Sequence, residues 1–167
     1  MMNGYEIFAQ GLGLSTPWEV IDVAFRRDGI DKELHITIKC ERGTKFEYND
    51  EVCSIYDHQY RSWRHVNFFS HKCYIHCDVP RIKTKNNSVV LVDVPWSEPG
   101  SSFVLLFEMY VLKLIDGGMS VSGAAKLVGV TYGIIHRIIK RHVILALVTQ
   151  PLEPVKKMSV DETSTKK

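Results

Sequence analysis

The sequence predicts an α+β fold: a small antiparallel β module, then a helical module that closes in a helix-turn-helix. Three observations carry this. Apolar and polar residues alternate over two early segments and again over 71–79, the period of a half-buried strand. After Pro99-Gly100 the apolar spacing lengthens to that of a helix. Finally Gly129 follows Ala125 by four positions, between two short helical patterns. Close helix crossing needs the small residue, and a tight turn needs the glycine's access to positive φ.

In order along the chain, Tyr5 to Leu14 predicts a short helix ending near Gly11 and Gly13. Ile21, Val23 and Phe25 alternate with polar neighbours. Leu34, Ile36 and Ile38 do the same after the turn-like Asp28-Gly29, so a hairpin is expected. A third strand is predicted over His71–Val79, with Cys73, Ile75, Cys77 and Val79 on one face. A fourth covers Val89–Val94 beyond the polar turn 83–88. Ser101 or Ser102 is expected to cap a helix from Phe103 to about Asp116, ended by Gly117-Gly118. Apolar on most sides, that helix should be buried between neighbours. Two further helices are predicted at about Val121–Val128 and Tyr132–Leu147, and Pro151 and Pro154 mark a linker. The expected division is a β-rich module over 1–99, a helix-turn-helix module over 100–150, and a linker with one opening strand over 151–167.

Composition narrows the function classes only modestly. A net charge of +2 over 167 residues does not by itself argue for nucleic acid, so the distribution of charge must. The N-terminus lacks the basic-then-apolar layout of a secretory signal. The longest apolar run, Phe103–Ile115, is broken by Glu108 and Lys113 and is too short to span a bilayer. Cys40, Cys53, Cys73 and Cys77 are expected as reduced thiols, which points to a cytoplasmic protein without a membrane partner.

On a helical wheel, Ile134, Ile135, Ile138, Ile139, Val143 and Leu145 share one broad arc, joined by His142 as a packed or edge residue. Gly133, His136, Arg137, Lys140 and Arg141 share the opposite arc. A recognition helix needs this division: an apolar back to hold it and a basic front for phosphates and base edges. Arg137 and Lys140 are the leading candidates for base or phosphate contact, with His136 and Arg141 beside them. Lys126 on the preceding helix and Thr131, which caps the recognition helix, complete the helical set. The alternative is a plain three-helix bundle whose charged face is merely solvated.

The middle of the chain sharpens this. Tyr56-Asp57-His58, then Arg61 to Phe69 (RSWRHVNFF), then Val79-Pro80-Arg81-Ile82-Lys83, then Val94-Pro95-Trp96 form an ordered series. With Gly11-Leu12-Gly13-Leu14, Pro17-Trp18 and Ser101-Ser102-Phe103 leading into Phe107-Glu108, it closely resembles the N-terminal region of the ISL-three family of bacterial insertion-sequence transposases. The resemblance implies a zinc-ribbon-like N-terminal module, a helix-turn-helix, and a DDE catalytic domain with an RNase-H-like fold. It places Asp161, in the run Val160-Asp161-Glu162-Thr163-Ser164, as the first of three acids that hold divalent metal ions for DNA cleavage and joining. The other two acids are absent, so the expectation is a transposase truncated at the start of its catalytic domain, without cleavage or strand transfer. It retains binding to terminal inverted repeats of double-stranded DNA in a bacterial cytoplasm. Arg61, Arg64 and Arg81 would contact phosphates, unless they serve as aliphatic covers for Trp63 and its neighbours.

Where the family has a Cys-Pro-x-Cys-Gly knuckle this chain reads Phe46 to Cys53, and the second knuckle position reads Thr84 to Ser88. No CxxC pair occurs at either, whereas tetrahedral zinc needs four thiolate or imidazole ligands. The ribbon is therefore expected to be degenerate, with no zinc and no other cofactor; Cys40, Cys73 and Cys77 read as buried small apolar residues. Other readings are a regulator or inhibitor that pairs with itself or a full-length transposase through Phe103–Ile115, and a decayed gene fragment without activity.

Overall fold

The computed structural model describes residues 4–149; the segment holding Asp161 lies outside the described residues. Ten elements follow in order: α1 (Gly4–Gly11), β1 (Trp18–Asp28), β2 (Asp31–Cys40), β3 (Lys45–Tyr48), β4 (Glu51–Phe68), β5 (His71–Lys83), β6 (Val89–Leu91), α2 (Leu105–Asp116), α3 (Val121–Val128) and α4 (Tyr132–Thr149). The fold class is thus α+β, with the strands first and the helical module last.

The strands form one sheet in the order β1-β2-β5-β4-β3, with β6 also on β5. Most pairings are antiparallel, but β2 and β5 run parallel, Leu34 beside Cys73 and Ile38 beside Cys77. The sequence pattern missed the reason: two strands, β3 and β4, intervene in the chain between β2 and β5, so these neighbours are not a hairpin. The β1–β2 hairpin is as expected, with one change of face. A bulge between Val20 and Asp22 shifts the register. Trp18 and Val20 therefore point into the core and Val23 follows them, while Ile21 stands exposed.

The buried face of the sheet is continuous with the core of the helices. Cys73, Ile75, Cys77 and Val79 on β5 are all nearly inaccessible, as their alternation predicted. Trp96 sits edge-on to both Trp18 and Trp63, with ring centroids 5.0 and 5.5 Å away. Phe107 and Val111 of α2 and Ile135 and Ile138 of α4 belong to the same apolar cluster as these tryptophans. Backbone bonds stitch the junction further: Val104 N–H donates to the Arg64 carbonyl, and Arg64 N–H to that of Ser102. One core of this size, not a propensity for each element, is what holds short helices such as the eight-residue α3 in place.

The helix ends divide by how local their signals are. Ser120 caps α3 by accepting from Gly123 N–H at 3.1 Å, and Gly129 ends it in the left-handed conformation at φ 71°. The first helical turn of α2 differs from expectation. Its cap is Val104, without a side-chain bond. Ser101 accepts from Phe103 N–H but spends its own proton on Glu108, so it braces the turn before the helix.

Candidate DNA-binding face and its buried support

The helix α4 packs through Ile135 and Ile138, fully buried against α2 and α3, with Ile134 and Ile139 partly covered beside them. The apolar arc read from the sequence therefore holds in its first half. Its second half does not: Val143 and Leu145 stand 51% and 42% exposed, and Ile144, Leu147 and Val148, outside that arc, are exposed as well. On the side of α4 turned away from Ile135 and Ile138, His136, Arg137 and Lys140 are exposed, as are Thr131 and Gly133 at the start of the helix and Lys126 on α3. Among the described residues, Lys126, Arg137 and Lys140 take part in no ion pair. Tyr132 stacks on His136 at 6.2 Å between centroids and is itself 55% exposed, adding a flat aromatic surface to the same end of α4. Its proximity to the basic arc follows from the four-residue spacing.

Arg141 departs from the arc on which the sequence placed it. Its guanidinium turns inward to the carboxylate of Glu108, N–O 2.5 Å, and only 26% of the side chain remains exposed. His142 Nε2 meets the other oxygen of Glu108 at 2.7 Å, and Ser101 O–H donates to the first at 2.7 Å. Glu108 is wholly inaccessible. A buried carboxylate must be paired and hydrogen-bonded to be tolerated, and here three partners from two other segments converge on it. The network ties α2, α4 and the turn before α2 together, and so sets the orientation of the exposed arc. Sequence reasoning noted Glu108 as a break in an apolar run and as part of the family resemblance, without a structural role. The expected burial of α2 on most sides holds only for the face of Phe107, Glu108 and Val111, while Leu106, Met109 and Tyr110 are exposed. An acid inside that apolar run was itself the signal, since it demands a cation nearby.

The sheet arginines sit differently. Arg64 is 8% exposed; it donates to the carbonyls of His65 and Cys73 and to Asn67 Oδ1, and lies over the rings of Tyr74 and Phe107. Arg81 forms a two-pronged pair with Asp57, half exposed on both sides, which holds the Asp57 carboxyl below its ordinary range. Arg61 reaches the Ser101 carbonyl at 3.4 Å and lies over Trp63. The three are thus not gathered with Arg137 and Lys140 into one cluster; each has a partner inside the protein.

Both knuckle positions are tight hairpins. Asn49 and Asp50, at φ 48° and 62°, turn β3 into β4, and Asn87 at φ 60° helps turn β5 into β6. The four cysteines are buried and unpaired. Cys73 and Cys77 lie four residues apart on one strand face, about 13 Å along it, and burial pushes their thiols up to about 11 and about 12. Among the described residues no group of three or more histidine, cysteine or acidic side chains is placed to hold a metal ion. Nor is any helix there long and apolar enough to cross a membrane.

Sequence reasoning also missed a chain of rings on the open face of the sheet. Tyr60 Oη lies 2.6 Å from His76 Nδ1, and His76 Nε2 lies 2.7 Å from His35 Nδ1. His35 Nε2 approaches Glu33 at 3.6 Å. Burial, first of all, lowers the pKa of both histidines.

A short helix capped by serine, a left-handed glycine turn, and a longer helix with an apolar back and an exposed basic front define a helix-turn-helix of the DNA-binding kind. Residues 92–143 match the helix-turn-helix domain of transposase family ISL3. No curated protein and no solved structure matches the chain.

Proposed function

We propose that the chain binds the ends of a mobile DNA element through α4, and that these residues supply the recognition step of a transposase and not its chemistry. The observation that carries this is the exposed arc of His136, Arg137 and Lys140, free of ion pairs among the described residues, on a helix anchored from behind by Ile135, Ile138 and the Glu108 network. Cations held at a rigid surface without internal partners suit phosphate and base-edge contact. Asp161, by its resemblance, is the first acid of a DDE centre; a divalent metal pair bound there would activate water or a 3′-hydroxyl. The hairpin turns at the knuckle positions favour a sheet that folds without zinc, held by its tryptophan-centred core.

The test is fluorescence anisotropy with duplexes carrying candidate terminal inverted repeats, against mixed-sequence duplex at the same salt. Binding that prefers the repeats, and that Arg137→Ala weakens more on the repeats than on mixed sequence, is expected. Equal affinity for both duplexes would remove end recognition from the account and leave phosphate binding alone.

A second reading, pairing with another copy or with a full-length transposase, is favoured by one observation: Val143, Ile144, Leu147 and Val148 form an exposed apolar stripe on α4. Elution as a strict monomer at high concentration, alone and with a full-length relative, would end that reading.

A further inference from the structure

Beside the turn between α3 and α4 lies a cleft of about 610 Å³, walled by the tips of the β1–β2 and β4–β5 hairpins and by Leu127, Val128 and Gly129. Three cations, Lys32, Lys72 and Arg64, line it with a single carboxylate, Asp31. Arg64 forms its floor but is committed to three internal acceptors. Lys32 is exposed at the rim, and Lys72 keeps 43% of its side chain accessible although Glu33 lies 3.5 Å away. Asn67 and Ser70 add neutral hydrogen-bonding groups.

The position of the cleft matters as much as its charge. Gly129 leads directly into Thr131 and Gly133, the end of α4 that a helix-turn-helix presents to base edges. Gly129, Thr131 and Gly133 are all exposed, so this end of α4 faces solvent. A duplex engaged there must carry its sugar-phosphate backbone past whatever flanks the turn, and the hairpin tips flank it.

We infer that this cleft receives the phosphate backbone of the duplex that α4 reads, with Lys32 and Lys72 as sequence-independent contacts contributed by the β module. The inference rests on the proposed DNA binding and extends it: the sheet takes part in gripping DNA through its hairpin tips, not through Arg61, Arg64 or Arg81. Lysine is suited to this as a mobile point charge that neutralises phosphate without reading sequence.

The experiment measures the salt dependence of binding to a mixed-sequence duplex for the full chain. Removing one lysine–phosphate pairing should lower the slope of log K against log salt by roughly 0.9. Lys32→Ala is expected to remove about one such unit, and Lys32→Ala with Lys72→Ala nearly twice that, with the same fold-loss on every duplex sequence. Asp31→Asn should tighten binding. Lys45→Ala, which removes the same charge from β3, should leave the slope unchanged. Because Lys72 sits beside buried Glu33, the Lys32 single variant decides the matter if the double variant melts early. A wild-type slope in Lys32→Ala, with Arg137→Ala still weakening binding, would overturn the cleft while sparing α4. If the wild-type chain shows no salt-dependent duplex binding at all, the DNA-binding reading itself fails, and the cleft with it.

Discussion

Arg64 on β4 and Arg137 on α4 carry the same guanidinium, yet one is buried with three acceptors around it and the other stands exposed without an ion pair among the described residues. The contrast extends to their neighbourhoods. In the sheet, Arg61, Arg64 and Arg81 each meet a carbonyl, an amide or a carboxylate of the protein. In the helix-turn-helix, only Arg141 does. What separates a structural cation from a candidate contact is therefore whether the fold has supplied its partner. Two of these arginines, Arg137 and Arg141, lie four residues apart on one helix and fall on opposite sides of that line.

The largest test of this contrast is at Glu108. Arg141→Ala leaves a wholly buried carboxylate with only Ser101 and His142, and should cost about 3 kcal/mol of stability, read from urea unfolding. If stability is unchanged and DNA affinity falls instead, Arg141 belongs with the contacts. Arg64→Ala should cost about 2 kcal/mol, by leaving the Cys73 and His65 carbonyls and Asn67 without their donor, while the folded fraction binds DNA as before. Arg137→Ala should do the reverse, leaving the urea midpoint in place and weakening binding about tenfold.

A smaller effect is expected from pH. The lowered values of His35 and His76 mean that the unfolded chain binds more protons than the folded one below their ordinary 6.5. Stability should therefore be full above that pH and be lost as pH falls through it toward the folded values. His76→Gln should flatten that part of the stability–pH curve; an unaltered curve would remove the pair as its source. Smallest of all, Arg81→Ala should shift neither the melting curve nor DNA affinity, because its pair with Asp57 is half exposed. Weaker binding in that variant would show that Arg81 leaves Asp57 for DNA.

The same contrast explains what could be read in the sequence. The bounds of α3 and the start of α4 were legible because a serine cap, a left-handed glycine and an apolar stripe are local signals. The strand β4 was not. Asp57, Gln59 and Arg61, on the same side as Trp63 and in register with Arg81, Val79 and Cys77, put polar residues where the alternation that marks a strand calls for apolar ones. Its 18 residues are held by tertiary pairing with β3 and β5. At the candidate site, the exposure of His136, Arg137 and Lys140 was legible from the wheel alone. The inward turn of Arg141 was not, since the wheel shows direction around one helix and nothing of the acid that α2 brings to meet it.

The most direct measurement is duplex binding by the double variant Arg137→Ala, Lys140→Ala, with its urea midpoint taken from the same preparation. The account predicts an unchanged midpoint and an affinity lowered by at least about tenfold, with a shallower salt dependence. An unchanged midpoint with wild-type affinity would show that α4's exposed arc is only a solvated face.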